Sequence, residues 1–449
     1  MRVELGGSPA SRVQQLLEPE TGVYIAVWTD SYPYVNTSSN DTPKLLNDRT
    51  GKKWSLWHIG QNIPAFSANS NTPNVDTTVN ETLLELTNTD AGILLDVFPF
   101  NNAGTSYSAI SANDIQALAN QCAAYNKKGR KVWLRLASEM NGNWYPYAQQ
   151  PASFVQLWIN VTNAVRAVAP STAMLWSPQI LPNGQYSLNP DTTGPINAAN
   201  MALLDTNHDG NINSRDDPYT PYWPGTQYVD WIGTSMYYHG PYLDSSAMYG
   251  INSIPPQNYF DGLMNTANFP FYNFVASMGK PLSLSEWGIP FYIALTPDGP
   301  SGQSIPVAVG PGQVAMKRAW WTQSMTNKTI YAKYPLIKMW GLFEFIKDET
   351  GSFRDFQFLN TTTLNGSITN AFLSDLQTSG INFIWANDTS VSPNSTNTTI
   401  TGNTTTAAAT PAASSPPSNT VLASIGYVLL PHKTFWLLLF AWWNVFFLL

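Results

Sequence analysis

The chain has 449 residues, only 11% of them charged, and a formal net charge of −7. With no basic stripe, nucleic acid and anionic lipid are excluded as partners and a neutral substrate is favoured. Cys122 is the only cysteine, so neither an intrachain disulfide nor a paired-cysteine metal site can form.

Residues 1–20 are an N-terminal extension without the apolar core of a signal peptide, which taken literally predicts a cytoplasmic protein. In the body, residues 21–388, apolar strands alternate with amphipathic helices, the pattern of a parallel sheet. The first strand is Val23 to Trp28 and the second Trp54 to Gln61, followed by a helix over Thr78 to Leu86. Ile93 to Phe98 is the third, running into a turn at Pro99 to Gly104. Ser111, with Asp114 three residues on, opens a helix in which Ile115, Leu118, Ala119 and Cys122 keep helical spacing until Gly129. Cys122 is thereby a buried small apolar residue. The fourth strand, Val132, Trp133, Leu134 and Leu136 with Arg135 interrupting, ends at Glu139. A helix over Phe154 to Val168 leads to strand five, Ala173 to Ser177, and a long connection reaches about Gln227. Val229 to Tyr238 is strand six, Tyr259 to Met278 a helix, Pro281 to Trp287 strand seven, Gln313 to Met325 a helix, and Ile337 to Phe345 strand eight. Eight such strands predict an α/β fold, a closed (β/α)8 TIM barrel. A doubly wound open sheet is the competing arrangement, but no Gly-rich phosphate loop follows the first strand.

In such a barrel chemistry sits where strands end and loops begin. Glu139 ends strand four and Glu286 ends strand seven, each followed by a hydrophobic residue and a glycine-containing turn. Two carboxylates about 5 to 5.5 Å apart allow retaining glycoside hydrolysis, one attacking the anomeric carbon and the other protonating the leaving oxygen. Glu344, also near a strand end, could replace one of the pair. The turn after Glu139 is dense in amides and aromatics, suited to sugar hydroxyls and sugar faces. The 17 tryptophans and 21 tyrosines point to a lined cleft or, alternatively, a tryptophan-rich core.

The segment RLASEMNGNWYPY resembles the acid/base segment of glycoside hydrolase family 26, the β-mannanase-type barrels. LSLSEWG is similar to that family's nucleophile strand, and YWPGTQYVDWIGTSMYY to its approach to strand six. The resemblance covers most of Thr21 to Trp385. It implies Glu139 as proton donor, Glu286 as nucleophile, Tyr237 as a hydrogen-bond partner of the nucleophile and Trp144 as a sugar-stacking residue, with Tyr238 and Tyr145 as adjacent alternatives. Asn141, Arg135, Trp287 and His58, which ends strand two, complete the substrate-binding candidates. One position departs from the family, which commonly has histidine directly before the acid; here it is Ser138. The implied substrate is a β-linked polysaccharide of the β-mannan or β-1,3/1,4-glucan class. The alternative is a non-catalytic carbohydrate-binding or structural wall protein on the same barrel.

In the long connection, DTNHDGNINSRD matches the twelve-residue calcium-loop spacing, with Asp205, Asn207, Asp209, the Asn211 carbonyl and Asp216 as oxygen ligands. A structural calcium ion is expected there, and no organic cofactor. The four histidines show neither HExxH nor paired spacing, and no GxSxG elbow is present.

Residues 389–420 are almost entirely Ser, Thr, Asn, Pro and Ala, a stalk that cannot fold a core. Residues 421–449 are a hydrophobic tail, and Lys433 is the only charged residue beyond Asp388. Stalk and tail together resemble a GPI attachment signal. A tail anchor is the alternative, although Pro431, His432 and Lys433 break the run into pieces shorter than the roughly 20 residues of a span. Asn-x-Ser/Thr acceptors stand at Asn36, Asn40, Asn80, Asn160, Asn327, Asn360, Asn365, Asn387, Asn394, Asn397 and Asn403. These features outweigh the N-terminus and predict a monomeric glycoprotein on the cell surface or wall, its start incomplete or unusually processed.

Overall fold

The computed structural model describes residues 12–29, 41–64, 81–99, 107–181, 184–185, 188, 198–241, 250–297, 302–349 and 351–389. The expected stalk beyond Thr389, the hydrophobic tail, and the acceptors Asn36, Asn40, Asn80, Asn394, Asn397 and Asn403 lie outside these residues. The chain divides into two units, Met1–Asp388 and Thr389–Leu449, and every element below belongs to the first.

Seven parallel strands pair in sequence order: β1 (Val23–Thr29), β2 (Leu56–Asn62), β3 (Gly92–Phe98), β4 (Val132–Leu136), β5 (Thr172–Trp176), β6 (Trp231–Tyr237) and β7 (Leu282–Gly288). Two strands of another sheet follow, β8 (Phe291–Leu295) and β9 (Ile305–Pro306). The eighth barrel strand, β10 (Ile337–Glu344), pairs in parallel with both β7 and β1 and closes the cylinder. That closure rules out the open sheet. The barrel strands are buried nearly throughout, as strands sandwiched between a filled interior and a ring of helices must be.

Side chains alternate along each strand, and the interior follows this period. Tyr24, Ala26, Leu56, Leu94, Trp133, Ala173, Leu175, Trp231 and Met339 form one apolar cluster. Two residues further on the same strand faces come Trp28, His58, Asp96, Arg135 and Ser177, so the filling turns from apolar to polar toward the C-terminal mouth. Outward-facing residues pack under helices, and Trp287 stacks between Trp320 and Phe358 at centroid distances of 5.8 and 5.3 Å. Among the described residues ten tryptophans are fully buried. A tryptophan-rich core therefore explains most of this residue type; Trp144 and Trp28 stand beside Glu139 and His58, whereas Trp223 and Trp385 pack against Trp176 and Trp54.

The helix Ala112–Lys127 begins at a Ser111/Asp114 capping box and buries Cys122 as expected. The helix expected over Tyr259 to Met278 is two, Tyr259–Met264 and Phe271–Met278, because Pro270 disfavours helical geometry at Phe269 and starts a new N-terminus. An unexpected antiparallel sheet, in the order β11 (Ile346–Glu349), β12 (Ser352–Asp355), β8, β9, grows from the C-terminal ends of β7 and β10. It stands on the side of the barrel where the two glutamates emerge. Of the glycosylation acceptors, Asn160, Asn365 and Asn387 are exposed, Asn327 is half-buried, and Asn360 is buried with its amide donating to Gln357.

Candidate active site

β4 delivers Glu139 through a strained segment. Ala137 and Glu139 both hold left-handed backbone, φ +49° and +56°, at a cost on the order of 1–3 kcal/mol each for residues with a side chain. Neighbouring strands over-determine that geometry. The Ala137 N–H donates to the Val97 carbonyl (2.8 Å) and the Glu139 N–H to the Ser177 carbonyl (2.8 Å). The Tyr147 hydroxyl donates to the Ser138 carbonyl (2.7 Å). Asn141 is buried and clamps the turn to the long connection: its amide donates to the carbonyls of Gln179 (2.9 Å) and Pro218 (3.1 Å) and accepts from the Gln179 N–H (2.8 Å). All these contacts are structural, so Asn141 is not a sugar ligand as expected but a brace.

Glu139 is 9% exposed, and its carboxyl accepts the indole N–H of Trp144 at 2.8 Å. Trp144 lies against Gly142, where an added Cβ would sit 2.5 Å from the indole ring, so only glycine lets the ring fold back over the acid. Burial, and then the charge of Glu286, push the Glu139 pKa up to about 7, against the opposing charge of Arg135.

Glu286 reaches the same place through a bulge. Thr234 and Ser235 of β6 face Leu284 and Glu286, and Trp340 and Leu342 of β10 face Leu284 and Trp287, so Ser285 is an extra residue on β7. Gly341 permits the close approach, because a Cβ there would lie 1.9 Å from the Ser285 carbonyl oxygen. Glu286 then accepts from the Tyr237 hydroxyl (2.9 Å) on one oxygen and from Arg135 on the other. Tyr238 turns away, its hydroxyl pairing with Ser253 at 2.8 Å, and Tyr145 stacks on Tyr147.

Arg135 is fully buried and joins four strands' worth of partners: Asp96 on β3, Ser177 beyond β5 (2.9 Å), Ser235 on β6 (2.9 Å) and Glu286 on β7. Burial disfavours its charge, but Asp96 and Glu286 outweigh this and hold the guanidinium protonated. His58 is also fully buried, 3.3 Å from Asp96 and 3.9 Å between centroids from Trp28, and burial lowers its pKa, leaving a neutral ring. Arg135 and His58, expected to bind substrate, instead support the carboxylates from behind because they fill the barrel interior.

Trp287 is not in the cleft, since side chains alternate and its neighbour Glu286 faces inward. Glu344 is excluded from the pair. It is fully buried, and its two oxygens accept the N–H groups of Phe358 and Leu359, each at 2.9 Å, while burial pushes its pKa up to about 7. Asp96 and Ser235 belong to the site without having been singled out in sequence. A charge inside the apolar run ILLDVF was the available signal, and Asp96 pairs in register with Arg135.

The calcium-loop residues lie apart from this site. Gly210 makes the turn at φ +82°. Asp205 accepts from the N–H groups of Asp209 (3.0 Å) and Gly210 (2.8 Å), and Asp209 accepts from the Asn211 N–H (2.9 Å). Asp216 accepts from the N–H groups of Thr206 (2.9 Å), Asn207 (3.3 Å) and Asn213 (2.9 Å), so its carboxylate braces the loop. Among the described residues no three His, Cys, Asp or Glu side chains are grouped to hold a metal ion.

No protein-family model matches the chain, and no curated protein does. Solved structures are similar to it. A GH26 β-mannanase of Bacteroides ovatus shares 11% identity over 82% of this chain and 91% of its own, with a TM-score of 0.47. An endo-β-1,4-mannanase double mutant of Cellulomonas fimi shares 12% over 81% and 72%, at 0.46. The catalytic domain of a GH26 endo-β-1,4-mannanase of Bacillus sp. JAMB-750 shares 14% over 81% and 87%, again at 0.46.

Proposed function

We propose that the chain is a retaining glycoside hydrolase that cleaves internal β-linkages of a neutral polysaccharide. What carries the reading is one asymmetry. Two acids meet at the barrel mouth: Glu139 keeps its proton to near neutral pH, whereas Glu286 is bound by a guanidinium and a phenol. In the first step Glu286 attacks the anomeric carbon, the glycosidic C–O bond breaks, and Glu139 gives its proton to the departing oxygen. In the second, Glu139 takes a proton from water, the water oxygen replaces Glu286 at the anomeric carbon, and configuration is retained. Trp144 bonds the acid and offers a face to the sugar beside it.

The β-mannan or β-1,3/1,4-glucan class is proposed from the motif resemblance. The loop 205–216 is read as a calcium site from its ligand spacing, and the surface location from the tail's composition. A reducing-end assay on mannan, mixed-linkage glucan, laminarin and xylan tests the activity. Product from the wild type that disappears in Glu286→Ala supports it. Binding without turnover on every substrate supports a non-catalytic wall protein instead.

A further inference from the structure

Behind the two glutamates lies a buried group that the double displacement does not use. Asp96 is fully buried, and a single oxygen, Oδ2, takes Arg135 Nη1, His58 Nε2 at 3.3 Å and Ser138 Oγ at 3.4 Å. Its other oxygen, Oδ1, is buried with no hydrogen-bond partner among the described residues, and the same holds for His58 Nδ1. A protonated imidazole would leave a bare N–H at Nδ1, at a high desolvation cost. The ring is therefore neutral, with its proton on Nε2 donated to Asp96. Arg135 Nη1 is also the donor to Glu286, so one nitrogen serves two acids.

Resting on the reading of Glu139 as acid and Glu286 as nucleophile, we propose that Asp96 is a positioning residue: it competes with Glu286 for Arg135 and thereby sets how strongly the guanidinium acts on the catalytic pair. The groups facing it are His58 from β2, Arg135 from β4 and, across Arg135, Glu286 from β7 and Glu139, with the phenols of Tyr145 and Tyr147 nearby. With His58 neutral and Glu139 protonated, the remaining charges are −1 for Asp96, +1 for Arg135 and −1 for Glu286, a net −1. Asp96→Asn makes that sum zero and leaves Arg135 to Glu286 alone. The uncompensated guanidinium then favours ionised Glu139 and quiets the nucleophile. His58 fixes the orientation of Asp96 without adding charge, and Ser138 adds a weak third donor to the same oxygen.

The test is the pH–rate profile of the full chain on whichever polysaccharide it cleaves, with carboxyl-carbon NMR titration beside it. In Asp96→Asn the basic limb should move down by about one pH unit. Its kcat should fall about tenfold or more while KM stays within about threefold. Asp96→Glu, which keeps the charge, should return the limb to the wild-type position. Equal rate losses in both variants with an unmoved limb would mean a structural role only and overturn the proposal. In the wild type, Asp96 must stay ionised throughout the range in which Glu139 titrates, and an Asp96 that titrates with Glu139 also overturns it. The NMR arm needs no turnover: a Glu139 titration that Asp96→Asn leaves unmoved overturns the proposal even in a chain inactive on every polysaccharide, whereas that inactivity by itself sinks only the hydrolase reading.

Discussion

Glu139→Gln should make the protein more stable, and by an amount that depends on pH in a defined way. The Glu139 carboxyl is nearly out of solvent, and its pKa rises from the ordinary 4.5 to about 7 through burial and the charge of Glu286. Below pH 4.5 the group is protonated in folded and unfolded chains alike and costs nothing. As pH rises through 4.5 the unfolded chain ionises and gains free energy, while the folded chain cannot follow until about 7. Stability therefore falls across this window and levels off above it. At 1.36 kcal/mol per pH unit, the interval of 2.5 amounts to about 3 kcal/mol. A glutamine does not titrate, so it removes that loss and leaves only a constant difference from its own packing. The measurement is the unfolding free energy of wild type and variant by denaturant titration at half-unit steps from pH 4 to 8. The gap between the curves should widen by about 3 kcal/mol in favour of the variant and flatten above pH 7 to 7.5. A gap that stays constant with pH would refute the account of Glu139 as a carboxyl kept protonated by its surroundings.

Tyr237→Phe removes the hydroxyl that donates to Glu286 at 2.9 Å; a hydrogen bond to a charged group is worth about 1.5–3 kcal/mol, so kcat should fall about 10- to 100-fold with little change in KM. An unchanged kcat, measured with the same polysaccharide, would separate Tyr237 from the nucleophile. Glu344→Gln leaves one of the N–H groups of Phe358 and Leu359 without its acceptor and should cost about 1–3 kcal/mol of stability, while turnover per folded molecule stays the same. A collapse of kcat there, with folding intact by circular dichroism, would return Glu344 to the catalytic pair. Exchange into chelator should lower the melting temperature if the loop 205–216 holds calcium. An unchanged melt with no calcium by elemental analysis ends that proposal.

Much of the site was legible because barrel geometry and strand period do the same work in sequence as in space. Acids at the ends of two apolar strands, VWLRLASE and LSLSE, had to emerge on one face of any closed parallel barrel. The period of two also puts Trp287 on the face opposite its neighbour Glu286, away from the cleft. Glu344 could not be separated from Glu286 in this way. The difference lies in Ser285, an extra residue visible only in the pairing of β7 with β6 and β10. Arg135 stood out as a charge inside an apolar run, but a sugar contact and a buried ion pair leave the same trace in one sequence, and its partner Asp96 in ILLDVF drew no notice. The second sheet was illegible for another reason. Its strands are short, and their pairing joins Phe291–Leu295 to Ser352–Asp355 across more than fifty residues with no local signal.

The clamp made by Asn141 ties the fate of two unequal parts of the chain. The long connection between β5 and β6 is surface-running chain of the kind that tolerates insertion, whereas Glu139 is buried with its N–H bonded to the Ser177 carbonyl. One amide fastens them together, at Gln179 on one side and Pro218 on the other. An insertion between those two anchors leaves both hydrogen bonds to Asn141, and so the hold on the acid's turn, in place. A single residue gained or lost at either anchor would be transmitted through Asn141 as a rotation of the turn that holds Glu139. The clamp thus divides the connection into a stretch open to diversification and two points that are not.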